Sequence, residues 1–174
     1  MGELLAKHGH TQIAVPNPTW GNHIPIFQNA GLQVTKYRYV ENNNLDPEGM
    51  MQDIESLPEG TCVLLHACAH NPTGIDPTLD QWKELSQICQ KKNLLPFFDC
   101  AYQGFASGDS EQDAAAIRLF LEDGHAMAMV QSFSKNFGLY GHRVGALSVV
   151  TNSPDEASKV VSQLKRGKWW RRAA

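Results

Sequence analysis

TCVLLHA, residues 61 to 67, followed by the turn residues His70-Asn71-Pro72-Thr73-Gly74, decides the architecture. A strand exposed on one face alternates apolar and polar residues. A short run that is apolar at successive positions belongs to a strand covered on both faces, as in a parallel sheet. The pattern returns twice, in LLPFFD (94 to 99) and HAMAMVQS (125 to 132). Between these runs Thr78 to Lys92 places Trp82, Leu85 and Cys89 on one stripe behind a cap at Thr78 or Asp76, and Asp113 to Asp123 reads as a second helix.

Outward from that centre, QIAV (12 to 15), QVTKYRY (33 to 39) and ALSVV (146 to 150) read as strands. Leu45 to Leu57 reads as a helix with Pro47 in its first turn behind a cap at Asp46, and Ser153 to Leu164 as the last helix. Alternating strand and helix predicts an α/β fold, a mostly parallel sheet with helices on both faces. Ligands of such sheets sit beyond the carboxyl ends of the strands. Polar residues collect just there: His70 and Asn71 after the first run, Asp99 and Tyr102 at the end of the second, Ser132 and Lys135 after the third.

The 174 residues suffice for one domain, with about two-thirds of the unfolded surface buried. With 42% hydrophobic and 19% charged residues and a net charge of -3, the composition is that of a globular chain, and nothing in it calls for nucleic acid. Cys62, Cys68, Cys89 and Cys100 form no C-x-x-C pair and lie in or beside apolar segments, the expectation for buried thiols in a reducing compartment. MGELLAKHGH has no apolar core for a signal peptide, and no stretch approaches the roughly 18 to 20 apolar residues of a membrane span. Both Asn-x-Thr matches, at Asn17 and Asn71, carry proline in the middle and are excluded as glycosylation acceptors. The expectation is a soluble, intracellular protein.

Lys135 lies in SFSKNFGLYGHR (132 to 143), among Phe133, Phe137 and Tyr140. It is either a solvated charge or an amine held in surroundings that free its lone pair for an imine. Asp99 closes an apolar strand, where a carboxylate is rare without a partner. It reads as a cap, a buried ion pair, or the counter-ion of a protonated ring nitrogen such as a pyridoxal cofactor carries. Arg143 offers the planar fork that grips a phosphate, with Ser132 or Ser134 as hydroxyl donors, or is simply exposed. Trp20 either lies on a heteroaromatic ring or anchors a core, and Asn71 sits in a turn set by Pro72 and Gly74. His66 and His70 are four apart, but a strand followed by a proline turn does not put them on one helix face as a metal site of the H-E-x-x-H kind requires. No metal is expected.

Four segments in order, NPTWGNH, HACAHNPTG, DCAYQGFASGD and SFSKNFGLYGHRVGA, closely resemble the aspartate aminotransferases, class I pyridoxal-phosphate enzymes of fold type I. The resemblance runs from about Leu4 to Leu164 and implies that the chain is the central part of that family's large domain, with residues 1 to 166 a partial cofactor-binding domain. It implies that Lys135 carries pyridoxal 5'-phosphate covalently and later moves the proton at the substrate's alpha carbon. Asp99, backed by His23, would keep the pyridine nitrogen protonated. Tyr102 and Asn71 would hydrogen-bond the ring oxygen, Trp20 would stack on the ring, and Ser132 and Arg143 would bind the phosphate. The reaction implied is amino transfer from L-aspartate to 2-oxoglutarate, giving oxaloacetate and L-glutamate, in a homodimer with its sites at the interface and with no membrane or nucleic-acid partner.

The same resemblance implies segments outside this sequence: a Ser-Gly-Thr phosphate loop, and two arginines that bind the substrate carboxylates. The alternative expectation is therefore a non-catalytic truncated form that keeps the cofactor-lysine region. Residues 167 to 174, basic and aromatic, depart from the family pattern. The wording SFSKNFGLY resembles the cytoplasmic branch, with an organellar compartment as the alternative.

Overall fold

The computed structural model describes residues 1 to 166; residues 167 to 174, expected to depart from the family pattern, lie outside the described residues. The elements in chain order are α1 (Gly2–Lys7), β1 (Gln12–Asn17), α2 (His23–Asn29), β2 (Gln33–Arg38), β3 (Val40–Glu41), β4 (Asn44–Leu45), α3 (Pro47–Glu55), β5 (Cys62–His66), α4 (Leu79–Lys91), β6 (Leu95–Cys100), α5 (Ser110–Asp113), α6 (Ala115–Glu122), β7 (Met127–Ser132), β8 (Gly145–Val150) and α7 (Pro154–Arg166). Six strands form one sheet in the order β2-β1-β5-β6-β7-β8. All neighbours pair in parallel except β7 and β8, which are antiparallel.

The expected two-sided burial is realised in β5, whose five residues are all buried. Val63 and Leu65 face a core with Tyr37, Met50, Ile54, Trp82, Leu85, Phe98 and Phe120, supplied on the helical side by α3, α4 and α6. Cys62 and Leu64 face the opposite core with Leu5, Ile13, Val15, Phe27, Phe97 and Ala128, where α1 and α2 pack. The period-2 alternation of a strand thus feeds both layers. All four cysteines are buried and free.

Local chemistry sets the helix boundaries. Thr78 caps α4 through a reciprocal capping box with Gln81, which selects Thr78 over Asp76. Asp76 instead accepts hydrogen bonds from the backbone N–H groups of Ala69 (2.6 Å) and His70 (2.9 Å), pinning the turn after β5. Asp46 caps α3 by accepting from Gly49 N–H at 2.8 Å. That helix starts at Pro47 rather than at Leu45, because Leu45 pairs with Val40 in the small β3–β4 hairpin.

The helix expected from Asp113 begins at Ala115. Asp113 ends the short α5, and its carboxylate accepts from the N–H groups of Gly104, Ala106 and Ser107, stapling the loop after β6. Helices α1 and α2 are too short to show a period in the sequence.

The two cores meet the sheet at adjacent residues of one strand, Phe97 and Phe98. Phe98 is fully buried, with its ring edge-on to Phe120 (5.2 Å between centroids) and tilted against Trp82 (6.0 Å). Phe98→Ala should destabilise the fold by about 3–5 kcal/mol. Urea unfolding followed by circular dichroism should show the midpoint fall at unchanged slope.

Candidate active site

The register of the central strands brings the polar residues together. In the β5–β6 pair His66 lies opposite Asp99, and in the β6–β7 pair Asp99 lies opposite Val130, with Cys100 opposite Gln131. Asp99 is therefore one step from the end of β6, beside the end of β5 and the start of the segment after β7. Beyond these carboxyl ends lies a cavity of about 300 Å³. It is lined by Trp20, Asn71, Asp99, Tyr102, Ser132, Lys135 and Arg143, together with His66, Cys68, Ala101, Ser134 and Tyr140. Of the eight residues to which the resemblance gives a cofactor role, seven line this one cavity, and His23 is hydrogen-bonded to Asp99.

Antiparallel β8 brings Arg143 back. Gly145 pairs with Ser132, and a Cβ at Gly145 would collide with the carbonyl oxygen of Gln131. Glycine there lets β8 run close along β7, so the arginine two residues earlier returns beside Ser132 and Ser134. Arg143 itself has φ +51°, a left-handed turn conformation that reverses the chain into the strand.

Asp99 is held by a directed chain of hydrogen bonds. Burial, opposed by Asp99 and reinforced by the neighbouring His23, lowers the His66 pKa to about 4, so its ring is neutral at pH 7. The backbone N–H of Asn71 donates to His66 Nδ1 at 3.3 Å. The ring proton must then sit on Nε2, which faces Thr19 Oγ1 across a long 3.4 Å contact. The Thr19 hydroxyl is left to donate to His23 Nδ1 (2.8 Å), and His23 Nε2–H donates to Asp99 Oδ2 at 2.9 Å. A single backbone amide thus orients two imidazoles and one hydroxyl toward the carboxylate.

Trp20 is 40% exposed and meets His23 edge-on, at 5.2 Å and 84°. It walls the cavity, and the core-anchor alternative is set aside. Lys135 is half-buried, with Nζ over the ring faces of Tyr102 (5.0 Å) and Tyr140 (5.3 Å). Among the described residues it makes no ion pair. Its surroundings are thus aromatic, as the sequence suggests, but the contacts are ring faces, which attract a cation. No group of His, Cys, Asp and Glu fit to hold a metal occurs among the described residues.

Sequence reasoning missed Thr19 and the part played by His66. The available signal was that His66 ends the most buried strand, where an imidazole needs hydrogen-bond partners.

The family model described as "Aminotransferase class I and II" matches residues 2 to 168, and the chain belongs to that family. Among characterised relatives, "Aspartate aminotransferase, cytoplasmic" of Oryza sativa subsp. japonica is 57% identical over 167 residues, covering 94% of this chain and 41% of that protein. "Aspartate aminotransferase, mitochondrial" of Dictyostelium discoideum is 58% identical over 153 residues, covering 87% of this chain and 36% of that one. The crystal structure of aspartate aminotransferase from Trypanosoma cruzi superposes with a TM-score of 0.91 at 44% identity, over 95% of this chain and 43% of that one. An aromatic-amino-acid aminotransferase from Burkholderia pseudomallei, covalently bound to pyridoxal phosphate, gives 0.90 at 43% identity, over 95% of this chain and 42% of that one. The chain spans about two-fifths of the length of these relatives.

The neutral histidines carry a pH signature. Burial also lowers the His70 pKa, to about 3, with smaller contributions from His66 and His23. Both folded-state values lie below the unfolded value of about 6.5, so the unfolded chain binds more protons between them. The stability tied to these rings is complete above about pH 6.5 and is lost as pH falls through about 4 and 3. Histidine ring NMR shifts should show His66 neutral down to about pH 4, and His66→Gln should flatten the acid limb of an unfolding-against-pH curve.

Proposed function

We propose that the cavity at the carboxyl ends of β5, β6 and β7 binds pyridoxal 5'-phosphate, and that residues 1 to 166 are part of the cofactor-binding domain of an aminotransferase acting on L-aspartate and 2-oxoglutarate. One observation carries the reading: an amine, a carboxylate with a fixed partner, and a guanidinium with two serine hydroxyls converge on a single cavity of about 300 Å³.

The residues fit the cofactor group by group. Asp99 would accept the pyridine N–H and so favour the protonated ring, while the Asn71–His66–Thr19–His23 chain holds the carboxylate in place. Arg143 matches a phosphate with its planar fork, and Ser132 and Ser134 supply hydroxyls. Trp20 offers a partly exposed ring face, Tyr102 and Asn71 offer donors for the ring oxygen, and Lys135 offers the amine that bonds the aldehyde carbon. Bound there, pyridoxal phosphate supplies an electron sink for the pair released when a bond at the substrate's alpha carbon breaks. With an amino acid bound, the Lys135 amine would be the base that takes the proton from that carbon and returns it elsewhere. Aspartate would leave as oxaloacetate, and 2-oxoglutarate would become L-glutamate in the second half of a ping-pong cycle. The partners are these small acids and, by family likeness, a second copy of the chain. We favour a cytoplasmic location from the motif wording; relatives carry cytoplasmic, mitochondrial and chloroplastic names, and no described helix is long and apolar enough to cross a membrane.

A second reading rests on the charges lining the cavity. Arg143 is the one arginine among the described lining residues, and it is assigned to the phosphate. A dicarboxylic substrate needs further cations, so on this reading the chain binds the cofactor without turning over substrate.

Titrating the purified chain with pyridoxal phosphate should produce a visible absorbance band that is absent in Lys135→Ala. Arg143→Ala should weaken cofactor binding at least about tenfold, the value of a lost charge-assisted hydrogen bond. A change of the band on adding L-aspartate supports the transamination reading. A lysine-dependent band that aspartate leaves unchanged supports the second, and equal binding by Lys135→Ala overturns both.

A further inference from the structure

Two thiols meet at the wall of the cavity, and neither has a part in the chemistry above. Cys68 lines the cavity and is 5% exposed, whereas Cys100, the last residue of β6, is fully buried. Both are free. The strand register brings them together. His66 lies opposite Asp99, and Ala67 N–H donates to the Asp99 carbonyl at 2.9 Å, so the ladder runs one step past the end of β5. Cys68 is the next residue along, diagonal to Cys100. Neighbouring strands are about 4.8 Å apart and successive residues about 3.3 Å, which sets the two Cα atoms roughly 6 Å apart. That lies inside the roughly 4.4–6.8 Å a disulfide spans. The chain bends through residues 67 to 69, which releases Cys68 from the strand alternation that would turn it away.

The thiols hydrogen-bond each other, and the contact makes them unequal. The hydrogen bond from Cys68, helped by Gln103 N–H, pulls the Cys100 thiol below its ordinary pKa against the effects of burial and Asp99. The same contact, together with burial, pushes Cys68 up. Cys62 and Cys89 lie in the two cores, where burial raises both. One sulfur therefore faces the cavity, and the sulfur that gives up its proton more easily stands behind it.

We propose that Cys68 and Cys100 form a redox modification site, in which hydrogen peroxide entering the cavity joins them in a disulfide that ties the turn after β5 to the end of β6. Cys68 Sγ attacks one peroxide oxygen and the O–O bond breaks. The sulfur becomes a sulfenic acid, and the other oxygen leaves as water with the Cys68 thiol proton. Cys100 Sγ then attacks the Cys68 sulfur and displaces hydroxide, which takes the Cys100 proton and leaves as a second water. Two thiols are oxidised, one peroxide is reduced, and no other reactant is needed. Cys68 stands between His66 and Asn71, and Cys100 follows Asp99, so the new bond draws the turn toward β6 and disturbs the Asn71–His66 hydrogen bond. That this weakens cofactor binding rests on the reading under Proposed function; the crosslink does not.

The experiment treats the full chain with hydrogen peroxide, then unfolds it, alkylates the remaining thiols and counts them by mass spectrometry, beside Cys68→Ser and Cys100→Ser. Alkylated thiols should fall from four to two, with a reductant-cleavable link between the peptides that carry Cys68 and Cys100. Cys100→Ser should form no link and leave Cys68 as a sulfenic acid that dimedone traps. Retention of all four thiols overturns the proposal. So does a link through Cys62 or Cys89, a link between two copies on a non-reducing gel, or a link that forms equally well in the urea-unfolded chain. In a second arm, peroxide should weaken pyridoxal phosphate binding about tenfold, the value of one disturbed charge-assisted hydrogen bond, and a reductant should restore it. A linked chain that binds the cofactor as before overturns the effect on the cavity. A chain that binds none before oxidation overturns the cofactor reading instead, and the thiol count still decides the site.

Discussion

Parallel pairing of β5 with β6, in the register that sets His66 against Asp99, is the constraint on which the remaining structure rests. Both strands are covered on both faces, so along their length they accept only apolar side chains, and the two cores read alternate residues of each. Ionisable groups are admitted where the strands end. Because the strands are parallel, those ends lie on one edge, and the same edge collects Ser132 from β7. A shift of one residue in the β5–β6 register would reverse the facing of His66 relative to Asp99 and break the imidazole chain.

That chain answers an energetic problem. A carboxylate at the end of a buried strand is costly unless something donates to it, and a histidine that donates must be in the right tautomer. Here the tautomer is set three groups away by the backbone N–H of Asn71, whose position depends in turn on Asp76 gripping the turn at Ala69 and His70. The HNPTG turn, from which the sequence analysis singles out Asn71 as a cofactor contact, thus also transmits backbone geometry to the carboxylate. The remaining oxygen of Asp99 stays available to the cavity, with Lys135 on another wall of it held over Tyr102 and Tyr140.

Antiparallel β8 serves the same edge by another route. It runs against β7, so its beginning rather than its end lies at the cavity, and Arg143 arrives through a left-handed residue followed closely by Gly145. The cost is an outer strand and a helix, α7, with few neighbours. The chain matches these relatives over about two-fifths of their length.

The sequence alone was enough for the sheet, its near-continuous apolar strands, the cap at Asp46, and the identity of the cavity's amine, carboxylate and guanidinium, because each is written in local periodicity or in a motif a few residues long; the choice of Thr78 over Asp76 as the cap of α4 came from the structure. Tertiary structure alone decided the start of α3 after a hairpin, the role of Asp113 as a loop staple, and the Asn71–His66–Thr19–His23–Asp99 chain. Each of these joins residues distant in sequence through hydrogen bonds whose partners are chosen by strand register and by the direction of the ring protons. Neither leaves a trace in composition or spacing, because a hydrogen bond across a sheet edge depends on three-dimensional placement to a few tenths of an ångström, whereas a buried strand requires only that its side chains be apolar.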